Sequence, residues 1–143
     1  MGFTEAVKTC FNKYITIEGR ARRSEYWWFI LFGFLGSLVA SILDTIIFGA
    51  ENTVLSGLFS LGILLPGICV AVRRLHDRDM SGWWLLLYLV PLIGALVLLV
   101  IFALPGTDGP NRFGPSPLGR TKDDDDESDG GYSMSSIPRA GRE

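Results

Sequence analysis

The chain has 143 residues, room for one domain and one sizeable core. Apolar side chains make up 48% and charged ones 20%, a balance too oily for most water-soluble domains of this size, so a membrane protein is expected. The formal charge of -2 hides a split between Lys and Arg ahead of residue 79 and a run of acids near the end; two distant cysteines, Cys10 and Cys69, outside any C-x-x-C or Cys/His pattern, support neither a disulfide scaffold nor a zinc module.

The first element is amphipathic. Phe3, Ala6, Val7, Cys10, Phe11 and Tyr14 recur at i, i+3, i+4 spacing, with Glu5, Lys8, Asn12 and Lys13 on the rest of the turn, which predicts a surface helix over 3–14. It either lies on the inner leaflet, in reach of a partner, or packs against the cytoplasmic ends of the spans. The connector 15–23 carries Gly19 for a turn. Ser24 is expected to cap the next helix, with Glu25 complementing its dipole.

A bilayer core of roughly 30 Å needs about 20 helical residues, and three stretches qualify. Residues 26–48 are apolar except for Asp44, near enough to the far end for its carboxylate to reach headgroups. Residues 54–72 contain no charge, and Pro66 is expected as a tolerated kink. Residues 83–104, with Pro91 in mid-span, carry the cleanest hydropathy signal. A soluble bundle would have too few polar faces. The first stretch is too long and starts too late for a cleaved signal peptide, so it is expected to remain as an anchor.

The flanking cations predict orientation. Lys8, Lys13, Arg20, Arg22 and Arg23 precede the first span, none separates the first from the second, and Arg73, Arg74 and Arg78 follow the second. Three crossings then put the N-terminus inside and the C-terminus outside, although Arg112, Arg120 and Lys122 sit awkwardly in an external tail. Trp27 and Trp28 open the first span and Trp83 and Trp84 the third, forming one side of an aromatic belt. Residues 105–118 are dense in Gly and Pro and read as ordered turns that fold back over the membrane surface. Residues 119–143 are acidic and serine-bearing and read as a disordered tail.

Chemistry-bearing residues concentrate in Arg73, Arg74, His76, Asp77, Arg78 and Asp79, followed by Ser81, Gly82, Trp83 and Trp84. Adjacent His76 and Asp77 diverge by about 100° on a helix and no nucleophile stands beside them, so no catalytic residue is assigned. A single histidine among arginines supports no metal, and no cofactor is called for. Asp77 can pair with Arg73 at i+4 or Arg74 at i+3, and Ser81 can cap the third helix. The arginines Arg20, Arg22, Arg23, Arg73, Arg74 and Arg78 can bind anionic headgroups, or can form with Glu25 and Asp77 an inter-helix ion-pair network, the favoured reading. In the spans, the pairs Gly36/Ala40 and Ser56/Ser60 offer weak helix-packing signals, either within the chain or in a homo-oligomer.

The ordered motifs GRARRSEYWWF, RRLHDRDMSGWWLL and PGTDGPNRFGPSP resemble those of the domain of unknown function 805, small bacterial inner-membrane proteins of the YhaH type, over residues 1 to 118. The resemblance implies a helical protein of the bacterial cytoplasmic membrane. Its signature positions fall at Arg20 to Trp27, Arg73 to Trp84, and Asn111, Arg112, Phe113 and Gly114; it implies no activity. The resulting expectation is an all-α integral membrane protein with a surface helix, three transmembrane helices and a disordered acidic tail. Its expected role is non-enzymatic, structural or interacting, in contact with the lipid bilayer and with its own copies or other membrane proteins but not with nucleic acid. An oligomeric transporter or channel subunit for a small solute is the alternative.

Overall fold

The computed structural model describes residues 1–119. The expected disordered tail beyond Gly119 falls outside them. The described residues are helical: α1 (Phe3–Asn12), α2 (Arg23–Phe48), α3 (Val54–Asp77), a 3-10 helix (Gly82–Leu89) and α4 (Ile93–Ala103). One isolated bridge joins Asn111 and Gly114.

The long helices α2 and α3, of 26 and 24 residues, are both long and apolar enough to cross a membrane. They pair antiparallel through small residues. A Cβ at Gly36 would fall 2.2 Å from the Phe59 ring and one at Gly33 would meet Ile63 at 3.2 Å, so these glycines let side chains of α3 seat against the α2 backbone. Their outer faces expose Phe34, Leu38, Ile46, Leu58 and Leu61. So large an apolar surface is stable against hydrocarbon and not against water.

At the tight turn between them, Asp44 does not reach outward as expected. It is 1% exposed, and its carboxylate accepts the Leu55 and Ser56 backbone N–H groups at 2.7 and 2.8 Å and the Ser56 hydroxyl at 2.7 Å. It thus caps the N-terminus of α3 from the neighbouring helix. Ser24, expected as the cap of α2, lies within its first turn; the N-cap is Arg22, with no side-chain cap bond.

Pro66 sits inside α3 and leaves the Gly62 carbonyl without its usual partner four residues on. The Tyr14 hydroxyl, in the turn just after α1, donates to it. The rest of α1 packs on α2 through ring contacts of Phe3 with Trp28 and of Phe11 with Phe29 and Phe32, burying Ala6 and Cys10. The helix lies along the flank of the pair, with Glu5 and Lys8 outward.

The expected third span, 83–104, is not one helix. It begins as a 3-10 helix, which Ser81 caps by accepting the Trp83 N–H at 3.4 Å. Pro91 then withholds a donor and forces Val90 into extended backbone. Leu92 adopts φ +65, reversing the chain into α4. Gly94 permits this tight return, because a Cβ there would strike the Leu87 carbonyl oxygen at 1.6 Å. The return ends where the excursion began. Gly82 lies against Val72, while Phe102 packs on Tyr26 with ring centroids 4.6 Å apart, and the Phe102 and Leu104 carbonyls accept from Arg74. Both ends of the stretch therefore meet the C-terminal part of α3. Three crossings would put residues 24 and 105 at opposite ends of the helix pair; the structure puts them at the same end, where both line one cleft.

Candidate functional site: a buried ion-pair cluster

The last turn of α3 organises this end. Asp79 at φ +58 closes a Schellman motif in which the Met80 N–H reaches the Leu75 carbonyl and the Asp79 N–H the His76 carbonyl, both at 3.0 Å. Other segments satisfy the remaining carbonyls. Ala21 N–H donates to Arg73 at 2.9 Å and Thr107 N–H to Asp77 at 2.7 Å, while Asn111 Nδ2 donates to His76 at 2.9 Å. The connector and the turn-rich segment are thereby stitched to one helix end.

Asp77 stands at the centre. One carboxylate oxygen accepts Arg20 Nε at 3.0 Å and the other accepts Arg74 Nη1, with all three side chains buried. Arg20 uses its whole fork: Nη1 donates to the Gly109 and Gly114 carbonyls at 2.6 and 3.4 Å, and Nη2 to the Thr107 and Asp77 carbonyls at 2.5 and 3.4 Å. Planar, multidentate recognition of this kind requires arginine rather than lysine. Gly106 lets the turn come so close, since a Cβ there would lie 2.0 Å from Asp77 Oδ2.

A second pair lies beneath α1. Arg73 Nη1 donates to Glu25 Oε1 at 2.5 Å, and the Cys10 thiol approaches the same oxygen at 3.8 Å. Burial, and then the Glu25 charge, push the Cys10 thiol up to about 12, so it stays protonated. Arg73 Nε and Nη2 are buried without partners among the described residues.

His76 stacks face to face on Phe113, with centroids 3.9 Å apart and planes within 3°. Its Nδ1 lies 3.1 Å from the Gly19 carbonyl, so that nitrogen carries a proton and donates. The Arg112 guanidinium also lies over the Phe113 ring, 4.8 Å from its centroid, and pairs with Asp79 at the surface. Phe113 N–H donates to Asn111 Oδ1 at 2.9 Å.

The sequence-predicted residues fall into a core and a rim. Arg20, Glu25, Arg73, Arg74, His76 and Asp77 are buried, joined by Asn111, Phe113 and Gly114. Arg22 fixes Pro117 through its Nε at 2.7 Å. Arg23 is exposed, the exposed Trp27, Trp83 and Trp84 lie on the rim, and Ser81 and Gly82 start the 3-10 helix. Arg73 pairs with Glu25 on α2, leaving Asp77 to Arg74 rather than to Arg73 at i+4. Sequence reasoning did not assign Gly106, Thr107 or Gly109 to the cluster. The dense Gly and Pro of that segment signalled turns, yet not which carbonyls those turns would offer.

The cluster thus draws on three separate stretches of sequence, around Arg20, Asp77 and Thr107 to Gly114. The family model described as "Protein of unknown function (DUF805)" matches residues 14–115, which include all three. The chain belongs to the DUF805 family. Inner membrane protein YhaI of Escherichia coli K12 is 49% identical over 108 residues, covering 74% of this chain and 89% of the relative. Inner membrane protein YhaH of the same strain is 44% identical over 110 residues, covering 74% and 90%. No solved structure matches. The DUF805 match stops short of the acidic run that begins at Asp123.

Proposed function

We propose that this chain is a non-enzymatic structural or interaction component of the bacterial cytoplasmic membrane, with α2 and α3 as its two crossings and residues 82–104 as a re-entrant hairpin. The observation that carries this reading is Asp77 held between Arg20 and Arg74, a contact that ties the start of the first crossing, the end of the second and the exit of the hairpin together. Re-entrant backbone is tolerated at membrane depth where protein covers it, and Gly94, Leu98 and Phe102 of α4 are buried.

Charge supports the sidedness. Cations precede α2 and follow α3, Arg112 joins them at the same end, and the turn 49–53 has none. Two crossings place them all in the cytoplasm, including the Arg112, Arg120 and Lys122 that a three-span scheme sends outside. The names of YhaI and YhaH support the inner membrane as the location. The non-enzymatic reading rests on how the polar groups are used. Both Asp77 oxygens answer arginines, and His76 is held between Gly19 and Phe113, a bracing geometry rather than that of a free acid or base.

His76→Ala and Asp77→Asn test it, read by melting temperature in detergent and by abundance in membranes. Both variants are expected to lose stability and abundance together. An Asp77→Asn protein that melts and accumulates like the wild type would contradict a bracing role.

A further inference from the structure

The ion-pair cluster is not neutral. Three buried arginines, Arg20, Arg73 and Arg74, face two buried carboxylates, Glu25 and Asp77, and Arg22, Arg23 and Arg78 add charge around them. Part of this excess converges on one cleft of about 330 Å³, lined by Arg20, Arg22, Arg23 and Ser24 on one side and by the 105–108 turn and Ser116 on the other. Arg22 is anchored through Nε to Pro117, which leaves its two terminal nitrogens without a hydrogen-bond partner among the described residues. Arg23 makes no side-chain hydrogen bond among them. The same wall is the N-terminus of α2, which lacks a side-chain cap, so its first N–H groups and its positive dipole end add to the arginines. Asp108 is the one lining carboxylate not already engaged by arginines.

We infer that this cleft binds a phosphate-type monoanion, the phosphodiester of an anionic lipid headgroup, with Arg22 and Arg23 as its ligands and Ser24 as a hydroxyl donor. Guanidinium forks and helix N–H groups are the donors that phosphate oxygens take. The inference rests on the proposed sidedness, which puts the cleft beside the inner leaflet, where phosphodiesters are dense. The chain's own acids, from Asp123 onward, are the competing occupant. Lipid is favoured because the cleft's arginines lie inside the family match and those acids lie outside it.

The test uses the full chain in a neutral detergent, titrated separately with phosphatidylglycerol, phosphatidylcholine and inorganic phosphate, with retained ligand counted by native mass spectrometry. One phosphatidylglycerol per chain is expected, weakened about tenfold or more by Arg22→Gln with Arg23→Gln and unchanged by Arg112→Gln outside the cleft. Arg23→Gln alone, which removes no observed bond, keeps the fold and is expected to weaken binding several-fold should the double variant not fold. Saturation by inorganic phosphate at equal concentration would keep the anion site and identify its ligand as free phosphate. Retained affinity in the arginine variants, or binding that appears only after Asp123–Asp126 are changed to Asn, would overturn the inference. A failure of sidedness would show instead in vesicle labelling, which these titrations do not read.

Discussion

Tyr14 donates its hydroxyl proton to the Gly62 carbonyl, the group that Pro66 strips of its intrahelical donor. A proline in a long apolar helix exposes one carbonyl to hydrocarbon, and here an aromatic from the flanking helix answers it. The bond holds the end of α1 against the middle of α3. Tyr14→Phe is expected to cost about 1 kcal/mol. In a Pro66→Ala background, where the restored backbone N–H at position 66 can serve the Gly62 carbonyl, the same change should cost clearly less. Thermal melts of the four proteins measure the coupling, and equal losses in both backgrounds would contradict it.

Asp77 and Asp79 give a paired prediction two residues apart. Removing the Asp77 charge leaves Arg20 and Arg74 buried without a carboxylate between them, so Asp77→Asn is expected to cost about 3–5 kcal/mol. Asp79 pairs with Arg112 in solvent, with both side chains about half exposed, and Asp79→Asn is expected to cost no more than about 1 kcal/mol. Chemical denaturation in mixed micelles separates the two, and similar losses would contradict the central place of Asp77.

The glycines sort by what surrounds them. Gly94→Ala drives a Cβ into the Leu87 carbonyl and Gly106→Ala drives one into the Asp77 carboxylate; both are expected to destabilise by more than about 1 kcal/mol. At Gly57, on the open face of α3, no atom lies within 4 Å of the added Cβ. Gly57→Ala should be neutral or should stabilise by up to about 1 kcal/mol. The three melting temperatures check the ordering.

Much of this architecture could be read from the residues, and the exceptions have physical causes. The 3.6-residue period of Phe3 to Tyr14 marked α1, and long apolar runs, the first interrupted only by Asp44, marked α2 and α3, because burial pattern and length are written locally. Arg20, Glu25, Arg73, Arg74 and Asp77 stood out as charges beside spans, though their pairing depends on which helix faces which. The hairpin was not legible. Residues 83–104 have the hydropathy of a crossing, and a stretch that enters and returns among apolar neighbours has the same composition as one that passes through. The clue lay in Pro91 with Gly94 three residues on, a break and a close approach rather than a kink. Arg112, awkward in an external tail, pointed the same way.

Cys10 supplies a pH dependence with a definite sign. Its thiol is raised to about 12 in the folded chain, against about 8.5 for a free cysteine. The unfolded chain therefore releases this proton first, and stability attached to the neutral thiol is present below about pH 8.5 and is lost as pH rises toward 12. Melting temperature should fall across that window, and the fall should be shallower in Cys10→Ala. Maleimide should label Cys10 slowly at pH 8 until the protein is denatured. Rapid labelling of the native protein would show α1 standing away from Glu25.

The side of the membrane on which residues 105–119 lie decides between two crossings and three. Cysteines placed singly at the exposed positions Glu18, Glu51 and Asp108 can be labelled with a membrane-impermeant maleimide in right-side-out and inverted inner-membrane vesicles, while Cys10 and Cys69 stay buried. Two crossings and a re-entrant hairpin predict that positions 18 and 108 react together in inverted vesicles and position 51 reacts in right-side-out ones. Labelling of position 108 on the same face as position 51 would contradict the hairpin and restore a third crossing.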